Sequence, residues 1–297
     1  MQFFFEVLIG GLLAGVMYSL VALGFVLIYK ASGVFNFAQG SMVFFAALTV
    51  VGFIEKGAPL WLAIGLCLMV MILIGIATER IVLRPLVNQP QITLFMATIG
   101  LSFFIEGLAQ GMWGAQVHAL NIGIPDTPIE ALMDKTGMLI SQFDLIAALI
   151  CAVLVTALAV FFNKTRIGRA LRAVADDHQA ALAVGIPLKQ IWAIVWAVAG
   201  FVALVAGLLW GARNGVQFAL TFVALKALPV LILGGFESIA GAIVGGLIIG
   251  ASEKLAEVFL GPYVGGGIEG WFAYVIALLF LLVRPQGLFG EKIIERV

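Results

Sequence analysis

The sequence predicts an all-α, polytopic membrane protein with about eight to ten transmembrane helices, and three observations indicate this class. Hydrophobic residues make up 63% of the chain, and the mean hydropathy of +1.17 is far above that of a soluble globular domain. Charged residues are only 11% of the chain and cluster in the short gaps between apolar blocks. The blocks are too long and too continuously apolar to be the strands of a membrane barrel, so helices are expected.

Nine apolar blocks divide the chain into candidate membrane spans. They cover residues 6–29, 34–54, 60–83, 92–113, 139–162, 189–211, 217–235, 239–259 and 270–283. The seventh block contains Lys226 and Pro229. A continuous helix and a broken or re-entrant helix therefore both stay open as interpretations of this block. The last block is short, which leaves the helix count between eight and ten. All the blocks belong to one predicted transmembrane domain over residues 1–297.

The distribution of cations predicts how the helices cross the membrane. If the N-terminus lies outside, eleven of the 16 lysines and arginines fall in the inside gaps, as the positive-inside rule requires. The exceptions are Lys56, Lys135, Arg213, Lys226 and Lys254. This orientation places the central polar segment 163–189 and the C-terminus in the cytoplasm. It places the loop 114–138 on the periplasmic side, where the loop could cap the outer mouth.

The polar segment 163–189 predicts a short helix between Ala170 and Val184, because it is rich in Ala and Leu and contains no breaker before Gly185. A polar stripe would be formed by Arg169, Arg172, Asp176 and Gln179, and an apolar stripe by Leu171, Val174, Ala175 and Leu182. Arg172 and Asp176 are four residues apart and could pair. Two interpretations stay open: a solvated loop whose cations fix the topology, and a docking helix for a soluble partner.

Polar side chains inside apolar blocks are the candidates for a substrate pathway, since such groups are costly in lipid and usually face a cavity or a partner. Asn36 and Gln39 flank the start of the second span. A broken helix start there would turn backbone N–H groups toward a carboxylate, whereas simple capping by Asn36 is the structural alternative. Glu106 either lines a pathway or reaches the outer interface. Lys226 either meets a substrate carboxylate or forms a buried ion pair, for example with Glu253.

Enzymatic function is not expected, because the sequence contains no recognisable catalytic or metal-binding constellation. HExxH, GxSxG and phosphate-loop motifs are missing, and His and Cys residues do not cluster. Cys67 and Cys151 fall inside apolar blocks and are expected to be buried small hydrophobic residues. The formal net charge of zero gives no indication of nucleic-acid binding. No cofactor is expected in this chain, and any ATP hydrolysis must come from another chain.

Two further patterns concern packing and symmetry. Residues 33–40 (GVFNFAQG) resemble residues 234–241 (GGFESIAG), and Arg84-Pro85 recurs as Arg284-Pro285. Such duplication is typical of transporters rather than of membrane enzymes. Pairs of glycines four residues apart predict close helix packing in lipid; they are Gly11 and Gly15, Gly241 and Gly245, and Gly246 and Gly250.

Three stretches carry a family resemblance when they are taken together. They are VMYSLVALGFVLIYKASGVFNFAQGSM (Val16–Met42), TRIGRALRAVADDHQAALAVGI (Thr165–Ile186) and LKALPVLILGGFESIAGAIVGGLIIGASE (Leu225–Glu253). In this order and spacing they resemble the LivH-type permeases of branched-chain amino acid ABC importers, and the resemblance covers essentially the whole chain. The implied fold is the ABC importer permease fold of the LivH/LivM type.

The resemblance implies a permease subunit of the bacterial inner membrane that works by alternating access. Its implied partners are a second, LivM-like permease subunit, two cytoplasmic LivG/LivF-like ATPases that hydrolyse ATP, a periplasmic substrate-binding protein and membrane lipid. The polar segment 163–189 would be the coupling segment that docks into the ATPase. The implied coupling residues are Arg169, Arg172, Asp176, Asp177, Gln179, Ala180, Ala181 and Gly185.

The sequence departs from the family at two positions. Gln179, Ala180 and Ala181, followed by Gly185, resemble the EAA…G loop of importer permeases, but Gln179 stands where the loop usually has Glu. The salt bridge of that position is therefore in doubt. Gln39 stands where many relatives have His. If this position contacts the substrate, the substrate specificity would differ from that of those relatives.

Several alternatives for function and assembly stay open. The permease could serve urea, amides or aromatic acids instead of branched-chain amino acids, and it could pair with itself instead of a second subunit. A proton-coupled secondary transporter would use Glu106 or Glu253 as its proton site. An intramembrane enzyme acting on lipid lacks a suitable set of acid, base and nucleophile.

Overall fold

The computed structural model describes residues 2–86, 89–176 and 178–290, without the side chains of residues 131, 176, 178 and 179. Over these ranges the chain is helical apart from loops and two isolated backbone bridges, His118 with Val216 and Pro128 with Ser141. The helices are α1 (Gln2–Ser32), α2 (Gln39–Glu55), α3 (Leu60–Ala77), α4 (Gln91–Trp113), α5 (Glu130–Thr136), α6 (Gln142–Lys164), α7 (Arg166–Asp176), α8 (His178–Ala183), α9 (Leu188–Asn214), α10 (Val223–Gly234), α11 (Ile239–Phe259), α12 (Gly261–Val264) and α13 (Glu269–Val283). A π-helix (Thr78–Leu83) and a 3₁₀ turn (Arg84–Leu86) extend α3, and a 3₁₀ turn (Phe218–Phe222) precedes α10.

Each of the nine predicted spans contains an apolar helix of the described chain, which confirms the all-α, polytopic fold class. Six helices are long and apolar enough to cross a bilayer: α1, α3 with its extension, α4, α6, α9 and α11. Three apolar helices are shorter: α2, the 3₁₀ turn continued by α10, and α13. The largest difference from the predicted boundaries is at α2, which begins five residues later than its block because residues 34–38 are not helical.

The helix over the seventh block is not broken at its proline. Pro229 lies inside α10, where it has no N–H to donate to the carbonyl oxygen of Leu225. The hydroxyl of Tyr274, on α13, donates to that carbonyl at 2.6 Å instead. Because the freed acceptor has a side-chain partner, the helix continues through the proline.

The chain divides into two compact units. The first unit comprises residues 1–23, 123–156 and 225–297, and the second comprises residues 24–122 and 157–224. In the second unit α2 is the central helix, since every residue from 39 to 52 is buried, and it packs against α3, α4 and α9.

Within the second unit, α3 and α9 approach each other at glycines. A β-carbon on Gly75 would lie 2.6 Å from the carbonyl oxygen of Trp196, and one on Gly200 would lie 2.8 Å from that of Met71. Contacts this short leave no room for a side chain, so the two backbones touch directly. Small residues serve this purpose in lipid, where packing replaces the hydrophobic effect as the force between helices.

In the first unit, α1 and α11 meet through the glycine pairs that the sequence singles out. Gly11 faces Gly250, and Gly15 faces Gly246. A β-carbon on Gly11 would lie 2.7 Å from the carbonyl oxygen of Gly250, so a side chain there would force the helices apart. The predicted close packing of these glycines is therefore present.

We expect Gly15→Val to destabilise the protein by about 1–3 kcal/mol, because the new side chain would overpack the contact between α1 and α11. The measurement is thermal unfolding in detergent, followed by the reaction of a maleimide dye with Cys67 and Cys151, both fully buried in the folded chain. Gly10→Val is the matched control, because a β-carbon at Gly10 would meet no described residue within 4 Å beyond its own turn of α1. Equal unfolding temperatures for the two variants would contradict the close contact.

Candidate functional site

A break between α1 and α2 is the first feature of the candidate substrate pathway. Gly33, with φ of +67°, ends α1, and the chain stays non-helical until α2 begins. The buried side chain of Asn36 accepts a hydrogen bond from the backbone N–H of Ala38 at 3.1 Å. The chain is thus interrupted before α2, as predicted. Asn36 closes a local turn with Ala38 and does not cap α2, because the helix start has no side-chain cap hydrogen bond.

Thr98 of α4 holds this break in place. Its hydroxyl accepts from the backbone N–H of Phe37 at 3.3 Å and donates to the carbonyl of Phe35 at 3.1 Å. Thr98 lies seven residues after the start of α4, so the break is about 10 Å along that helix. The residues just before α2 therefore lie beside the interior of α4 rather than beside its first turn. A groove of about 340 Å³ borders the break.

Gln39, the first residue of α2, is fully buried beside Asn36. Its Oε1 accepts from Nδ2 of Asn36 at 3.3 Å, while its Nε2 has no hydrogen-bond partner among the described residues. The amide lies against Gly24 of α1, where a β-carbon would collide with it. A buried amide donor without a partner is costly, and such groups are often satisfied by a ligand or a water molecule.

Glu106 forms a polar cluster between α2 and α4. Its Oε1 accepts from the hydroxyl of Ser41 at 2.6 Å and from that of Ser102 at 3.3 Å, and the two hydroxyls are 2.5 Å apart. No lysine, arginine or histidine nitrogen forms an ion pair with Glu106 in the described part of the chain. The half-buried carboxylate is therefore oriented by two helices but lacks a counter-charge.

Lys226 belongs to a compensated charge network in the first unit. Its Nζ lies 3.1 Å from Oε1 of Glu253 and 2.8 Å from Oε1 of Glu269, and Nζ of Lys254 lies 3.2 Å from Oε2 of Glu269. The hydroxyl of Tyr18 donates to Glu253 at 3.1 Å. Two cations thus face two carboxylates. This geometry is the buried ion pair with Glu253 that the sequence left open, and it leaves Lys226 engaged by protein rather than by substrate.

Glu257 fixes the position of Glu269 in this network. Its two carboxylate oxygens accept from the backbone N–H groups of Gly267 and Glu269, both at 2.9 Å. N–H groups at the start of a helix have no acceptor within that helix. Glu257, on α11, supplies the acceptors and so caps α13. The cap holds α11 and α13 in register at the charged residues.

The polar segment 163–189 folds into α7 and α8, starting earlier than predicted. Thr165 accepts from the N–H of Gly168 at 3.2 Å, which starts α7 at Arg166 rather than near Ala170. Arg172 donates to the side chain and carbonyl of Asn163 at 3.2 and 3.3 Å, and Arg169 donates to the carbonyl of Lys164 at 3.4 Å. Both guanidinium groups therefore bind the C-terminal end of α6, where free carbonyls favour cations.

The apolar stripe predicted for this segment is only partly buried. Leu171 and Val174 are buried as predicted, and α7 and α8 both pack against α9. Leu182, assigned to the same stripe, is 55% exposed, because α8 buries Ala181 instead. Val184 is 76% exposed.

Some predicted coupling residues cannot be placed by their side chains. Asp177 lies outside the described residues, as do the side chains of Asp176 and Gln179, so the predicted pairing of Arg172 with Asp176 stays a prediction. Ala180 is exposed, and Gly185, with φ of +84°, follows α8 in the left-handed conformation expected at a helix end.

Sequence reasoning named Glu253 as a partner of Lys226 but missed the other partners of the charged candidates. Ser102 precedes Glu106 by four residues, so helical spacing could have found it. Ser41 and Glu269 lie on other helices, 65 and 43 residues from the groups they bind, and no local signal connects them. The exposure of Leu182 and Val184 likewise depends on which face of α8 meets α9.

The two sequence repeats have similar local structure. In each, a helix ends, a glycine with positive φ follows, and a new helix begins within six residues: Gly33 between α1 and α2, and Gly235 between α10 and α11. In both repeats a side-chain oxygen accepts a hydrogen bond from a backbone N–H group. The acceptor is Asn36 in the first repeat and Ser238 in the second. This correspondence supports the proposed internal duplication.

We expect Lys226→Met to destabilise the protein by about 3–5 kcal/mol, because it would leave the buried carboxylate of Glu253 without its cation. The thiol-reactivity measurement of thermal unfolding would detect the loss, and the additional change Glu253→Gln should recover much of it. Lys254→Met is the control, with an expected cost of at most about 1 kcal/mol, because its partner Glu269 is 35% exposed and keeps Lys226 as a second cation. A stable Lys226→Met variant that had lost only transport would instead indicate a substrate contact.

Comparison with known proteins places these features in a family. Residues 7–284 match the family described as "Branched-chain amino acid transport system / permease component". The chain is 29% identical to the high-affinity branched-chain amino acid transport system permease protein BraD of Pseudomonas aeruginosa, over 99% of this chain and 98% of BraD. It is 28% identical, with the same coverage, to the permease protein LivH of Escherichia coli strain K12. A solved chain of PsaBC from Streptococcus pneumoniae in complex with Fab aligns loosely, with a TM-score of 0.47 and 15% identity over 92% of this chain and 89% of that one. The match over nearly the whole chain shows that this protein belongs to the LivH-type family of branched-chain amino acid transport permeases and is a membrane permease subunit of an ABC importer.

Proposed function

We propose that this permease translocates branched-chain amino acids across the bacterial inner membrane by alternating access. The observation that carries the proposal is the family match over residues 7–284, and the high-affinity branched-chain systems of BraD and LivH support the substrate class. The orientation has the N-terminus and the loop 114–138 in the periplasm. The polar segment 163–189 and the C-terminus are cytoplasmic, in agreement with the positive-inside rule.

The working assembly contains a second, LivM-like permease subunit, two LivG/LivF-like ATPases and a periplasmic binding protein. ATP is hydrolysed by the partner ATPases, because the chain has no phosphate-loop motif. This chain contributes no covalent chemistry. It contributes two packings of its helices whose populations are shifted by ATP binding to the partners.

The ATPase docks on the polar segment 163–189 through an exposed apolar pair, Leu182 and Val184. Both residues are more than half exposed, whereas Leu171 and Val174 of the same segment are buried. An exposed apolar pair on the aqueous side of a membrane protein is not accounted for by lipid, so a protein partner is the natural cover. Arg169 and Arg172 serve this surface indirectly, since they fix α7 to the end of α6.

The substrate pathway is lined by polar side chains near the break between α1 and α2. They are the amides of Asn36 and Gln39 and the carboxylate of Glu106. Two hydrogen bonds to Thr98 of α4 hold the backbone of the break. A discontinuous helix of this kind exposes backbone donors where a substrate can reach them. Lys226, the fourth candidate, supports the pathway only through the stability of the first unit.

The proposed function predicts uptake of labelled leucine into proteoliposomes that requires ATP and the binding protein. The complex is purified with its native partners, and alanine, urea and benzoate serve as competitors. ATP-dependent uptake of a competitor but not of leucine would keep the importer class and refute the branched-chain substrate. Uptake that ignores ATP and follows a proton gradient would refute the importer mechanism in favour of a secondary transporter.

We expect Val184→Glu to weaken association with the ATPases by about tenfold or more, because it buries a charge where an apolar side chain docks. Co-purification of the ATPases and uptake should fall together, while thermal unfolding stays unchanged. Val117→Glu is the matched control: Val117 is 65% exposed and lies in the predicted periplasmic loop. The same loss in both variants, or in neither, would count against docking at Val184.

A further inference from the structure

An apolar groove of the second unit lies where α3 passes into its π-helical extension. The groove has a volume of about 420 Å³ and is bordered by α3, the π-helix and α4. Its lining is aliphatic or aromatic apart from Thr78 and Gly100. Short π-helical segments are rare and are frequently found at functional sites. An apolar groove beside such a segment is therefore a candidate binding site.

The length of the groove corresponds to one leaflet of a bilayer. Its lining on α4 extends from Ala97 to Leu108, eleven residues further along the helix, which is a rise of about 16 Å. The hydrocarbon core of a bilayer is about 30 Å thick, so one leaflet contributes about 15 Å. A helix of another subunit would cross both leaflets, whereas an acyl chain occupies only one. The groove thus matches a lipid chain in length.

Arg80 places a cation at the edge of the groove. It precedes Ile81 and follows Ala77 by three residues, and these two residues line the groove. Residues three apart are neighbours on a helix surface, and all three residues are exposed. Arg80 therefore belongs to the same exposed surface as the groove.

Arg80 also has no counter-charge of its own within the described part of the chain. The nearby Arg84 is bound through two nitrogens to the carboxylate of Glu79, at 3.0 and 2.7 Å. No described carboxylate forms an ion pair with Arg80. One arginine is thus compensated inside the protein, while the other is available to an external anion.

We propose that the groove binds one acyl chain of an anionic phospholipid and that Arg80 binds the phosphate of the same lipid. Arginine keeps its charged head at the interface while its apolar stem lies along hydrocarbon, so it can reach a head group from the groove edge. Basic residues beside membrane helices bind anionic head groups in this way. The lipid belongs to the leaflet at Arg80, which is cytoplasmic in the proposed orientation, and its binding stabilises the second unit.

The test is photo-crosslinking of the complete complex with phosphatidylglycerol that carries a diazirine in one acyl chain, with adducts mapped by peptide mass spectrometry. We expect adducts on residues 74–82 and 97–108, and fewer with phosphatidylcholine that carries the same chain. Arg80→Gln should lower the phosphatidylglycerol yield at these residues about fivefold to tenfold, because it removes one cation beside the phosphate. Arg80→Lys, which keeps the charge, should retain most of the yield. Arg166→Gln, at an exposed arginine away from the groove, should leave it unchanged.

A second pair of variants tests the groove itself. Gly100→Leu places a side chain in the groove and should abolish the adducts, whereas Gly107→Leu on the same helix lies outside the groove and should leave them unchanged. Neither β-carbon would meet a described residue within 4 Å beyond its own turn of α4, so both variants should fold, with unfolding temperatures that match.

Three results would overturn the proposal. Equal yields from the two lipids, or from Arg80→Gln and the unmodified complex, would remove the phosphate contact. Adducts that persist in Gly100→Leu would remove the acyl chain from the groove. Loss of the second permease subunit from Gly100→Leu, but not from Gly107→Leu, would assign the groove to a contact between subunits instead of lipid.

Discussion

The structure depends on one constraint: inside a bilayer, each backbone polar group must find its partner within the protein. Regular helices satisfy this for the backbone, and the described irregular points satisfy it with side chains. Thr98 supplies both a donor and an acceptor to the break between α1 and α2. Tyr274 supplies the donor that Pro229 removes from α10. A single hydroxyl group thus satisfies the backbone at each of these two irregular points.

The cost of charged side chains in a bilayer separates the two charged clusters. In the network around Lys226, two cations meet two carboxylates, and Glu257 fixes the helix start that carries one of them. Its charges are balanced within the chain, so the network's role is to hold α10, α11 and α13 together. Glu106 has oriented hydroxyl partners but no described cation.

The spans were predictable because their signal is local: an apolar run of about 20 residues has few alternatives to a membrane helix. The interruption at Asn36 was predictable for the same reason, as a polar residue between glycines. Contacts between helices were not, since the 65 residues that separate Ser41 from Glu106 carry no information about which faces meet. The prediction assumed one continuous helix over the segment and therefore placed Leu182 on the same face as Leu171. In the structure Ala181 is the buried residue of α8, and Leu182 is exposed.

The proposed docking surface and the proposed substrate site belong to the same compact unit. The polar segment 163–189 continues through Pro187 into α9, whose glycine contacts reach α3 and whose side chains pack on α2. Backbones that touch at glycines have no side chains to absorb a displacement, so in the proposed mechanism a movement of α8 would pass to α9 and then to α2. Under the proposed docking, a change at the ATPase surface would therefore reach the start of α2, which carries Gln39 and Ser41, within the second unit.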